Sequence, residues 1–201
     1  MMVGGPRRWG WMVRSRVVLV GGAFVLAVAL LAGAAWWFGL RHEGGPLAGG
    51  AGGAVCVPAQ GSKDFSHMVV GFRNDAGKGA RITRVALVGS DGLRLVDTVL
   101  VRRGGSEVGS ISQWPPPTSS QLWSGRVPAV GGTIPPSRNP DAEYWDLVLH
   151  LQAFDDRAMA RADDIRVDYR VGTRMYQLTA PFRFVVVRTG TCTEGDVGGP
   201  R

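Results

Sequence analysis

The stretch Trp145-Asp146-Leu147-Val148-Leu149-His150-Leu151-Gln152 decides the fold. In an extended chain its period of two puts Trp145, Leu147, Leu149 and Leu151 on one face and His150 on the other, whereas a helix would scatter them. The same period recurs on both sides. Ile165, Val167, Tyr169 and Val171 alternate with Arg166, Asp168 and Arg170, and Met68, Val70 and Phe72 alternate ahead of Asn74-Asp75-Ala76-Gly77. Ile82 to Val88 and Leu93 to Val101 flank Gly89-Ser90-Asp91-Gly92. Gly172-Thr173 precedes Met175 to Leu178, and Phe182 to Val187 completes the set. Short alternating runs joined by such turn residues read as antiparallel hairpins. Asp155 to Asp164 is the exception, predicted as a loop or about two helical turns. Roughly seven strands in about 135 residues, each with a face to cover, predict an all-β, immunoglobulin-like antiparallel sandwich, with a barrel as the alternative.

Ahead of this domain, Val17 to Leu40 reads VVLVGGAFVLAVALLAGAAWWFGL, without a charge. At about 1.5 Å per residue it spans a hydrocarbon core of about 30 Å. Arg7, Arg8, Arg14 and Arg16 precede it, so the positive-inside rule predicts a cytoplasmic basic tail over 1–16, a single transmembrane helix over 17–40 in contact with membrane lipid, and an extracytoplasmic remainder. Trp36, Trp37 and Phe38 fall where aromatic rings prefer the headgroup level. Ala32-Gly33-Ala34 offers the alternative of signal-peptide cleavage, with a mature chain starting at Ala35. A lipid on Cys56 fits poorly, because Val55 precedes it and about fifteen residues separate it from the apolar run.

The net charge of +7 belongs mostly to the anchor. Without the four leading arginines and Arg41, 18 basic residues face 16 acidic ones, a balance that predicts no nucleic-acid binding. Residues 41–55, RHEGGPLAGGAGGAV, are predicted as a glycine-rich tether reaching about 20 Å. Cys56 opens and Cys192 closes the domain predicted over 56–192, and two cysteines so placed in an exported chain predict a disulfide. Residues 193–201 are predicted as a flexible tail.

No catalytic, cofactor or metal residue is predicted. Gly71 to Lys78 has five residues between its glycines and Gly79 after the lysine, which breaks the phosphate-loop pattern. His42, His67 and His150 lack metal spacing, and Asp155, Asp156, Asp163, Asp164 and Asp168 are interleaved with arginines and lack the calcium-loop spacing. The segment 103–144 is long for a connection within a compact domain, and such segments are usually functional or disordered. It carries Trp114-Pro115-Pro116 and Trp123, which either present a surface to an unknown protein partner or plug the sandwich. The expectation is a membrane-anchored, non-enzymatic interaction or envelope accessory module. A small-molecule or polysaccharide binder and an enzyme with an unrecognised site are the alternatives.

Overall fold

The computed structural model describes residues 42–51, 53–103, 110–116, 123, 125–138, 144–154 and 157–198. The expected tail over 1–16 and transmembrane helix over 17–40 lie outside these. Among the described residues no helix is long and apolar enough to cross a membrane.

The described chain is all-β in two sheets. Its strands are β1 (His42–Glu43), β2 (Leu47–Ala51), β3 (Ala54–Pro58), β4 (Asp64–Asn74), β5 (Ala80–Val88), β6 (Leu93–Arg102), β7 (Val127–Pro128), β8 (Thr133–Ile134), β9 (Trp145–Ala153), β10 (Met159–Val171) and β11 (Arg174–Val187). One sheet runs β1-β11-β10-β5-β8, with β3 also on β11, and the other runs β2-β4-β9-β6-β7. Between them Phe65, Phe72, Leu147, Leu149 and Leu151 meet Ile82, Ile165, Tyr169, Phe182 and Phe184 in one buried core. Leu147, Leu149 and Leu151, on the face predicted for β9, are buried in this core.

The predicted tether is instead built into the sandwich. β1 pairs in parallel with Tyr176 and Gln177, β2 crosses to the other sheet and pairs antiparallel with β4, and β3 returns to run parallel to β11. Leu47 is only 2% exposed, and its N–H donates to the Tyr169 hydroxyl at 3.2 Å. The glycines mark tight packing in place of looseness. A side chain on Gly45 would strike the Tyr169 hydroxyl, and one on Gly49, at φ +98°, would overlap the Gly71 carbonyl. The chain accordingly divides into units at 41/42 and not at 55/56.

Met68, Val70 and Phe72 were expected on one face, but the β4–β9 register shifts between Val69 and Phe72. Gly71, at φ +66°, forms this bulge, and its N–H donates to Asp146 Oδ1 at 2.9 Å. Phe65 and Phe72 consequently share the core while Met68 turns to the opposite face. Of the expected hairpins, Gly172-Thr173 joins the paired strands β10 and β11. Asn74 to Gly77 and Gly89 to Gly92 instead carry the chain from one sheet to the other. In the first of these the Asn74 side chain donates to Lys78 O at 3.0 Å and Ile134 O at 2.8 Å and accepts from Ala76 N–H, closing a turn and leaving no phosphate cradle. The helical alternative for Asp155 to Asp164 gives way to β10 from Met159 onward, where Ala160 and Ala162 alternate inward between Met159 and Arg161. Beyond β11 the predicted tail holds a helical turn, α1 (Glu194–Gly198), to which Arg183 Nη1 donates at Val197 O.

Candidate functional site

Cys56 of β3 and Cys192 beyond β11 form a disulfide with their Cα atoms 5.8 Å apart. The bridge spans 136 residues of sequence and ties the outermost strand to the end of the domain.

The proline- and tryptophan-bearing segment lies against the outer face of the β4-β9-β6 sheet. Ile111 and Ser66 exchange backbone hydrogen bonds of 2.9 Å each way, extending the β4 edge past β2. Ser66 Oγ donates to Gln113 O, and Ser112 Oγ donates to Pro58 O at 3.0 Å. Trp123, 6% exposed, packs with Met68, Val99, Val101 and Val148 in a second apolar cluster, and Trp114 leans on it edge-to-face at 5.5 Å. Trp114 also stacks on His150, whose Nε2 lies 2.8 Å from Asp64 Oδ1. Arg126 covers the Trp123 ring at 4.7 Å. Pro116 is buried and Pro115 exposed, with a cis bond between Trp114 and Pro115. Of the four residues expected at a partner surface, Trp123 and Pro116 therefore face the protein, Trp114 is half-buried and Pro115 alone is exposed. The plug lies over an outer sheet face and not across an open end. The segment also holds two strands without a side-chain period to announce them, β7 on the β6 edge and β8 on the β5 edge.

His67 is 4% exposed, with Phe182 and Phe184 ring centroids at 5.0 and 5.1 Å. Its Nδ1 shares a 2.7 Å hydrogen bond with Ser110 Oγ, and its buried Nε2 has no partner among the described residues. Burial lowers its pKa to about 4, so the ring is neutral at physiological pH. A serine beside a histidine has the residue types of a nucleophile and its base, but this histidine is 4% exposed beside the Phe182 and Phe184 rings. Among the described residues no group of three or more His, Cys, Asp and Glu is placed to hold a metal ion. Asp163 and Asp168 are strung along β10, about 16 Å apart at the rise of an extended chain. Asp163 lies 3.3 Å from Arg183 Nε.

The two ends of the sandwich differ. At the end where His42 begins β1, Arg102 and Trp145, adjacent across β6 and β9, meet Pro135, Pro136 and Arg138 around an open cleft of about 250 Å³. At this end Arg73 holds the Asp75 carboxylate at 2.6 Å and keeps its pKa below the usual carboxylate range. The far end gathers around Asp91 and Gly92. Phe154 N–H donates to Gly92 O, Arg161 and Asp91 exchange backbone hydrogen bonds, and Arg157 pairs with the Asp91 carboxylate. Here Phe154 is 58% and Met159 39% exposed. Only the alternation of hydrophobicity could have flagged Phe154, as an apolar residue just past the end of a strand.

No family model, curated protein or solved structure matches this chain.

Proposed function

We propose that the chain is a single-pass membrane protein whose extracytoplasmic, immunoglobulin-like sandwich serves as a non-enzymatic interaction module of the cell envelope. The uncharged run over 17–40 supports the anchor, and the cytoplasmic side of the amino terminus follows from the arginines ahead of it. The Cys56–Cys192 bridge supports an oxidising compartment for the domain. Strand order supports the immunoglobulin-like reading. β2-β4-β9-β6 packs against β3-β11-β10-β5, the arrangement in which the first strand is shared between sheets of the A-B-E-D and G-F-C kind. The bridge differs from the usual one in that family of folds, since it staples the first strand to the chain beyond the last.

The observation that carries an interaction role is the polarity of the sandwich. His42 enters at one end, while Phe154 and Met159 stand exposed at the other, around the Asp91–Gly92 turn. That apolar tip is offered to a protein partner, the residue classes there being those favoured at interface centres. A small-molecule site fits less well, because an open 250 Å³ cleft buries little of such a ligand.

The test has two arms. Protease added outside intact cells should digest the sandwich, and protection would sink the topology. A photo-crosslinking residue at position 154 of the full chain should yield a discrete adduct, whereas one at position 179 should not. Equal labelling at both positions, or none, would discard the tip as the partner surface.

A further inference from the structure

Four basic side chains stand exposed around the His42 end with no ion pair among the described residues. Arg81 of β5 lies directly across from Arg170 of β10, Arg174 opens β11 at the adjoining hairpin, and Lys78 sits in the turn that leads into β5. Like charges directly opposite on a sheet repel, so the Arg81–Arg170 pair costs stability unless an anion lies over it. Arg102 and Arg138 add to the same end from the cleft. The exposed acids described there are Glu43 and Asp75, and Asp75 is held by Arg73. Asp141 and Glu143 lie outside the described residues. At the far end Arg157 pairs with Asp91 and Arg183 with Asp163. Tyr144, Trp145 and Tyr176 are half-buried at the His42 end, the residue types that settle at headgroup level.

The length of chain ahead of β1 selects the occupant. Only Arg41 separates Leu40, the last residue of the apolar run, from His42, the first of β1. Two residues reach about 7 Å, so a domain anchored through 17–40 keeps its His42 end close to the lipid surface. We propose that the Arg81–Arg170–Arg174–Lys78 surface seats on anionic phospholipid headgroups. The inference rests on the anchored reading of residues 17–40. Each basic group beside an anionic surface strengthens its seating about fivefold at moderate salt, and four act together.

The full chain in nanodiscs provides the test, with discs of phosphatidylcholine alone compared with discs containing phosphatidylglycerol. Amide hydrogen exchange over 78–82 and 168–176 should slow by about tenfold in the anionic discs and recover in high salt. It should be insensitive to lipid in the Arg81→Ser/Arg170→Ser/Arg174→Ser variant, whose exchange in β9 shows that the core is intact. Equal exchange in both lipids, or unchanged protection in the variant, overturns the proposal. Protection that appears only on adding poly-glutamate would also overturn it, in favour of an acidic protein. Failure of the chain to stay with the discs after alkaline washing would instead remove the anchor itself.

Discussion

Trp114 lies flat on His150, their rings 4.6 Å apart and 3° from parallel, while the imidazole Nε2 reaches Asp64 Oδ1 at 2.8 Å. The stack fastens a cover over the outer face of a sheet that would otherwise expose Met68, Val99, Val101 and Val148. Trp123 is the buried member of that cover, so Trp123→Ala is expected to cost about 3 to 5 kcal/mol, and half-buried Trp114→Ala roughly half of that. Chemical denaturation of the full chain in mild detergent measures both. A Trp123→Ala variant of unchanged stability that loses a partner would restore these tryptophans to an interface.

Gly49 and Gly53 sit four residues apart in the same glycine-rich run but in opposite situations. Gly49 is at φ +98° with its missing side chain aimed at the Gly71 carbonyl, whereas Gly53 has nothing within 4 Å and an ordinary φ. Gly49→Ala should destabilise by about 3 kcal/mol or more, combining left-handed strain with a steric overlap. Gly53→Ala should be neutral or stabilise by up to about 1 kcal/mol through the unfolded chain. Equal thermal shifts for the two would return the segment to a tether.

The disulfide closes a loop of 136 residues, for which the chain-entropy model gives about 4 to 5 kcal/mol. A Cys56→Ala/Cys192→Ala variant should lose stability on that scale, and its midpoint in denaturant should no longer respond to reductant. Full reactivity of both thiols in the native, unreduced chain would remove the bridge and with it the argument for an oxidising compartment.

What could be read from sequence was what side-chain period records. Leu147, Leu149 and Leu151 announced a buried face, and Ile165, Val167 and Tyr169 announced another, because each strand buries one side of its pleat. β2 escaped because glycine has no side chain to show a period, although close backbone packing is what demands glycine there. The Gly71 bulge escaped because a one-residue slip inverts every later side chain without altering composition. Turn residues marked where the chain reverses, but Asn74 to Gly77 reverses between sheets and Gly172-Thr173 within one, a difference set by partners far away in sequence. The Trp114–His150 stack joins residues 36 apart whose meeting no local pattern encodes, and the cationic end assembles Arg81, Arg170 and Arg174 only when β5, β10 and β11 align.

His67 gives the domain a pH dependence whose sign is fixed by burial. Its pKa falls to about 4 in the folded chain because the ring is enclosed by Phe182, Phe184 and the Ser110 hydroxyl, against 6.5 when exposed. Above pH 6.5 the ring is neutral in both states and has no linkage effect. Between 6.5 and 4 the unfolded chain binds a proton that the folded chain refuses, so stability falls as pH falls, and below 4 this contribution levels off. At 1.36 kcal/mol per pKa unit the loss approaches about 3 kcal/mol. Denaturant midpoints measured from pH 7 to pH 4 should therefore fall more steeply for the wild type than for His67→Asn, which keeps a polar partner for Ser110 and does not titrate. Parallel profiles for the two proteins would mean that His67 is hydrated or charged within the fold and that the Phe182–Phe184 face of the core opens to water.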